Sequence, residues 1–266
     1  MTAELTEARL LDIWETGSGQ RPPARAMLLA TAAAALFEPA GSARPGPAPD
    51  GSGQPGPRAG VRPVAGRTLA ALNALLLDLR ERCFGTALPC AADCPHCAEQ
   101  LDVTLTTAEL RPPGDRTARP GATPATGRVR VDGHQVTYRA LTGADLLAVD
   151  PDAPGARQTL LGRCVLVVEP PVPEGPGDTV LEAVAERLGA LDPGADTAVV
   201  LTCPYCRHCW TAAFDLAGYV WAEVEAYARR LLHEVHVLAR AYGWTEAEVL
   251  GVSPVRRQYY LEAATA

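Results

Sequence analysis

Two short motifs, Cys94-Pro95-His96-Cys97 and Cys203-Pro204-Tyr205-Cys206, constrain this chain more than any other feature. A Cys-x-x-Cys turn puts two sulfurs on one side of a tight loop, and two such turns supply the four thiolates of a closed tetrahedral zinc site. The motifs are far apart, with residues 98 to 202 between them. If Cys94, Cys97, Cys203 and Cys206 hold one structural Zn2+, the chain must leave the first knuckle, build an insert and return. Closing a loop of roughly 100 residues costs about 4–5 kcal/mol of chain entropy. Structural zinc contributes roughly 10–16 kcal/mol in small peptides, so one ion can offset the closure. On the residues alone other arrangements stay open: Cys90, His96, His208 or Cys209 can substitute as ligands, or the thiols can be buried without a metal.

Composition narrows the setting. Of 266 residues 47% are hydrophobic but only 5% aromatic, so Leu, Val and Ala must fill the core. A net charge of −7 argues against a nucleic-acid binder that relies on bulk charge. The N-terminus is acidic and polar rather than basic and then apolar, and the longest apolar run, Ala26 to Phe37, is too short for a bilayer. The expectation is a cytoplasmic protein with no membrane partner. In that reducing setting eight cysteines read as metal ligands or buried thiols before disulfides.

The periodicity predicts an α+β, mostly helical chain: a zinc-ribbon-like clamp from two distant knuckles, a small β-hairpin insert, and a long C-terminal helix followed by two short ones. Residues 1–37 form an N-terminal helical segment, with helices over 4–16 and from Pro22 and Pro23 to Phe37. Residues 38–64 read as a Pro/Gly-rich linker. Residues 65–110 hold a helix, with Leu69, Leu72, Leu76, Leu79 and Cys83 on its buried face, and the first knuckle, followed by a strand over 101–105. Cys83 is then a small core residue, not a ligand. After a loop over 111–126 comes a small α/β insert, 127–197. It carries a hairpin turning at Asp132-Gly133, a short helix capped by Thr142, and a helix over 178–190. Residues 198–266 begin with a buried-type strand, Ala198 to Leu201, entering the second knuckle, with Trp210 to Phe214 as its return. A stripe follows at Val220, Val224, Tyr227, Leu231, Val235, Leu238 and Tyr242. Gly243 ends that helix, Thr245 and Glu248 make a capping box, and Ser253-Pro254 starts a last helix.

No catalytic constellation emerges from the sequence, so the expectation is a non-enzyme without a small-molecule substrate. His233 and His236 stand at i and i+3, where the zinc-protease helix needs i and i+4. Val199 to Cys206 resembles a glutaredoxin active site over about eight residues, which keeps a thiol oxidoreductase as an alternative. A zinc ribbon binding nucleic acid or a transcription complex is another, although only Arg207 lies close to a knuckle. In the last helix Tyr259, Tyr260 and Leu261 either pack on the long helix or dock to a partner, and Arg256 and Arg257 are candidates to pair with a partner's carboxylates.

Several stretches carry a resemblance. Leu231 to Ala239, Ala241 to Leu250 and Ser253 to Leu261 resemble the C-terminal segment of base-plate proteins of the hub-assembly type from contractile phage tails and related injection systems. Leu11 to Gly17, Tyr138 to Leu146, Arg163 to Val165 and Leu191 to Asp196 fit the same group, while the insert at 38–64 and the extra Cys209 depart from it. The resemblance implies a structural or assembly role, through contacts with other base-plate or tail-assembly proteins, in the cytoplasm or within a phage-like particle.

Overall fold

Local chemistry sets most element boundaries. In the computed structural model, which describes residues 6–37, 64–112, 124–173 and 175–265, Thr6 accepts from the Arg9 amide and starts α1 (Glu7–Gly17). Helix α2 (Pro22–Phe37) opens on a proline, whose missing N–H is no loss in a first turn. A 3-10 turn (Val64–Gly66) leads into α3 (Leu69–Phe84), capped by Thr68. The first knuckle joins β1 (Ala87–Asp93) to β2 (Gln100–Thr106), and a capping box at Thr106 and Glu109 starts the one-turn α4 (Thr107–Leu110). The insert comprises β3 (Thr126–Val131), β4 (His134–Arg139), α5 (Gly143–Ala148), α6 (Ala156–Cys164), β5 (Val165–Glu169) and α7 (Asp178–Leu191). The second knuckle joins β6 (Ala198–Thr202) to β7 (Cys209–Ala213). Asp215 then caps α8 (Leu216–Tyr242), and α9 (Glu246–Gly251) and α10 (Pro254–Thr265) end the chain.

The main core lies where α1, α2 and α3 meet the first half of α8. Leu29, Ala30 and Ala33 of α2, Leu72, Leu76 and Leu79 of α3, and Val220 and Val224 of α8 are buried there. Alanines on α2 let the helices approach closely, which is how a chain poor in aromatics fills its centre. Gly17 admits the Trp221 ring, which occupies the place a Cβ would take. One buried ion pair crosses this region, Arg80 to Glu223 at 2.8 Å.

The insert has a second core. Its sheet runs β3-β4-β5, all antiparallel, and Val129, Val136 and Tyr138 pack on Cys164, Val180 and Val184. Asp132 and Gly133, at φ 50° and 80°, make the tight turn that matches strand twist. Asp145 joins the insert's parts: its carboxylate accepts from Arg139 at 2.6 and 2.9 Å, Arg163 at 3.0 Å and Thr142 Oγ1 at 2.7 Å. Elsewhere Asp192 accepts from the Ala70 amide, and Asn73 donates to the Gly194 and Ala195 carbonyls, tying the insert to α3.

The architecture is the mostly helical α+β fold expected, with the clamp, the hairpin, the long helix and two shorter ones after it. Of the 38–64 and 111–126 segments, residues 38–63 and 113–123 lie outside the described residues. Three expectations need correction. Strands β1 and β5 and helix α6 were not anticipated: β1 carries a proline and three alanines, and α6 lacks an apolar stripe. Strand β6 is not of the buried type; it alternates, with Val200 72% exposed. The α8 stripe is buried at Val220, Val224, Leu231 and Leu238, but Tyr242 reaches the surface. Among the described residues no helix is long and apolar enough to cross a membrane.

Asp145 offers a pH-resolved test. Burial alone would push its carboxyl up, but the bonds from Arg139 and Thr142 outweigh it and hold the carboxyl at about 2, below the ordinary 3.8. Its contribution is therefore present above about pH 4 and lost as pH falls toward 2. Asp145→Asn is expected to lower stability by about 3 kcal/mol near neutrality. In paired thermal melts that gap should close between pH 4 and pH 2.

Candidate metal centre

The two knuckles sit at the tips of two hairpins built to one plan. In the first, Asp93 faces Gln100 and Ala92 faces Leu101; in the second, Thr202 faces Cys209 and Leu201 faces Trp210. Each turn closes with the same pair of backbone bonds. Cys94 N donates to Glu99 O and Ala98 N to Cys94 O; Cys203 N donates to His208 O and Arg207 N to Cys203 O, all at 2.9 Å. Ala98 and Arg207, the residues after each second cysteine, take left-handed φ values of 59° and 62°. That conformation costs a non-glycine residue roughly 1–2 kcal/mol, and it persists here in two hydrogen-bonded turns that aim their sulfurs at one point.

The sulfurs cross between the hairpins. Cys94 Sγ lies 3.7 Å from Cys206 Sγ, and Cys97 Sγ lies 3.7 Å from Cys203 Sγ. All four lie within 4.8 Å of one another. Four sulfurs at about 2.3 Å from a central ion stand about 3.8 Å apart along each tetrahedral edge, so the crossed distances match a four-thiolate shell. Equal crossed distances are also what an approximate two-fold axis between the knuckles gives. Each hairpin contributes one buried sulfur, Cys94 or Cys203, while Cys97 is exposed and Cys206 half-buried. Leu101, Val103 and Trp210 pack around them and thin the water on the inner side.

The electrostatics call for a cation. Burial pushes the Cys94 thiol up, but the amides of Cys97 and His96 and the neighbouring sulfurs outweigh it and bring it down to about 7. For Cys97 the Glu99 amide favours the thiolate, yet burial and the other three sulfurs push it up to about 12. For Cys206 the His208 amide favours the thiolate, yet burial and the sulfurs of Cys203 and Cys94 push it up, as repulsion between neighbouring thiolates would. A bound divalent ion removes that repulsion and draws the remaining protons off. Four sulfurs in a tetrahedron suit a soft or borderline metal over calcium or magnesium.

The open alternatives for the ligand set are resolved by placement. Among the described residues only the four knuckle cysteines form a metal-binding group. Cys90 Sγ donates to the Val103 carbonyl, and Cys209 is exposed on β7 opposite Thr202. His96 and His208 stack on each other with ring centres 5.4 Å apart, and His208 also stacks on Trp210. Cys83 packs against the main core, and burial raises its thiol to about 11, as it does that of Cys164. The left-handed residues and the histidine–tryptophan stack went unread in the sequence; Ala98 and Arg207 share one offset from their Cys-Pro-x-Cys, whereas His96 lies inside the first motif and His208 and Trp210 lie beyond the second.

The candidate partner residues divide. Arg256 and Tyr259 are exposed on α10, while Tyr260 stacks edge-on against Tyr242 and Trp244, and Leu261 is half-buried. Arg257 is a correction. It is 3% exposed and turned inward, donating to Glu7 at 2.7 and 2.8 Å and to Glu234 at 2.7 Å, so its guanidinium is not offered to a partner. Glu7 in turn accepts from the Tyr227 hydroxyl at 2.7 Å, and this hub pins α1, α8 and α10 together.

Metal analysis of the purified chain should give one ion per molecule, with cobalt substitution producing intense sulfur-to-metal absorption. Cys94→Ser and Cys203→Ser should each lose the ion and most of the stability, whereas Cys209→Ser should keep both. Full metal content and unchanged melting in the first two variants would refute the site. No protein-family model, curated protein or solved structure matches this chain, so the functional reading starts from the metal centre and the fold around it.

Proposed function

We propose that the protein is a structural or assembly component of a phage-like contractile tail or injection-system base plate. Its metal is structural Zn2+, and it works through contacts with other base-plate or tail-assembly proteins rather than by catalysis. The observation that carries this reading is where the resembling residues sit in the fold. They are joints. Gly17 makes room for Trp221 and Gly143 for Met27. Asp145 gathers Arg139, Arg163 and Thr142. Asp192 and Gly194 bind the insert to α3. Gly243 terminates α8 at φ 70°, Thr245 and Glu248 cap α9, and Arg257 pins three helices. A resemblance concentrated on joints is one of shape, and shape is what an assembly component supplies.

The metal centre supports the same reading over its rivals. Thiol exchange needs an accessible thiolate, and Cys203, the leading cysteine of the glutaredoxin-like stretch, is fully buried against Cys97. Nucleic-acid binding needs a basic surface at the knuckles. Arg207 stands by the second, while Asp93, Glu99 and Asp102 surround the first, all exposed.

The decisive test is genetic. Genes for sheath, tube and spike proteins should neighbour this one, and its deletion should abolish sheathed particles in electron micrographs of cell lysates. A wild-type copy should restore them, and a Cys94→Ser, Cys203→Ser copy should not. Normal particles in the deletion strain would overturn the proposal.

A further inference from the structure

Between the inner faces of the two hairpins lies a cavity of about 330 Å3, and its lining shows where it opens. On β2 and β6 only alternate residues line it, Val103 and Leu105, then Val199 and Leu201. Successive residues of a strand point to opposite faces, so these two strands form walls. On β1 and β7 successive residues line it, Cys90 to Ala92 and then Ala212 and Ala213, with Phe214 following just past the strand. The cavity therefore wraps around the edges of β1 and β7, and its mouth lies between them. Each hairpin is a two-stranded sheet, so among the described residues both edges lack a strand partner.

The two edges differ. β1 is guarded as free edges usually are: Pro89 has no N–H to offer, and Asp93 brings charge. β7 reads Cys209-Trp210-Thr211-Ala212-Ala213, with neither charge nor proline. Alanines 91, 92, 212 and 213 leave the space open, and the walls are aliphatic. Asp215 is the charged residue of the lining; it is exposed and stands two residues past the end of β7. The Tyr219 hydroxyl, donating to the Pro89 carbonyl at 2.9 Å, fixes the far rim to α8.

We propose that this slot is a docking site for an extended segment of a partner protein, which adds to the β7 edge, places aliphatic side chains at alternate positions into the cavity, and sets a lysine or arginine beside Asp215. Main-chain pairing supplies affinity and the alternate pockets supply selectivity, as in other strand additions. Charge complementarity at Asp215 favours a cationic segment. The site goes beyond the base-plate reading and stands or falls separately from it, since the assay below needs no tail protein.

The probe is a fluorescein-labelled peptide, Lys-Val-Thr-Val-Thr-Val-Lys, titrated with the metal-loaded full chain and followed by anisotropy. Saturable binding is expected, weakened about tenfold or more when threonine replaces the valines or glutamate replaces the lysines. Ala212→Leu, which fills the slot, should weaken binding similarly while the cobalt spectrum is kept. Asp215→Ser retains a helix cap and should erase the preference for lysine over glutamate, which keeps the proposal testable if the first variant fails to fold. Absence of saturable binding, equal binding by a folded Ala212→Leu, or an unchanged lysine preference in Asp215→Ser would each overturn it. Self-association that Ala212→Leu abolishes would also overturn it, by showing a second copy in the slot.

Discussion

Four sulfurs brought within 4.8 Å of one another repel once ionised, and a cation among them would turn that repulsion into attraction. The constraint is geometric as well as electrostatic. The hairpins belong to distant parts of the chain, and the segment between them contains an α/β unit with its own core. Apart from any ion, the tips of β1–β2 and β6–β7 meet through Leu101, Val103 and Trp210 and through the stack of His96 on His208. An ion would fix the tips at one end, while at the other Tyr219 of α8 bonds to Pro89 of β1 and β7 runs on into α8.

The rest of the molecule is held by means in keeping with its composition. A core short of aromatics relies on close approach, and the alanines of α2 and the glycine under Trp221 provide it. Polar joints then set the angles. Asp145 fixes the insert, Arg80 with Glu223 ties α3 to α8, and Arg257 with Glu7 and Glu234 gathers α1, α8 and α10. Buried ion pairs add little net stability compared with apolar packing of equal volume, but each is costly to break by halves. Such joints specify an arrangement more than they strengthen it, which suits a part whose use is its shape.

What could be read in the sequence follows from how local each signal is. The knuckles, the Asp132-Gly133 turn, the capping box at Thr245 and Glu248, and the α8 stripe each depend on residues within a few positions, and each was legible. Strand β1 was not, because Ala87-Leu88-Pro89-Cys90-Ala91-Ala92-Asp93 has almost no strand propensity and exists through pairing with β2 and contact with the core. The inward turn of Arg257 was hidden for a similar reason: its partner Glu7 is at the other end of the chain. At the candidate metal centre the four cysteines that cluster were readable from spacing. The crossed pairing of Cys94 with Cys206 and Cys97 with Cys203 was not, since spacing says nothing about how two turns face each other.

The matched design of the hairpins bears on how the molecule assembles. Each turn is closed by backbone bonds and strand register of its own hairpin, with none borrowed from the other. Each hairpin would offer a metal two sulfurs of its own, so neither knuckle needs the other to begin the shell.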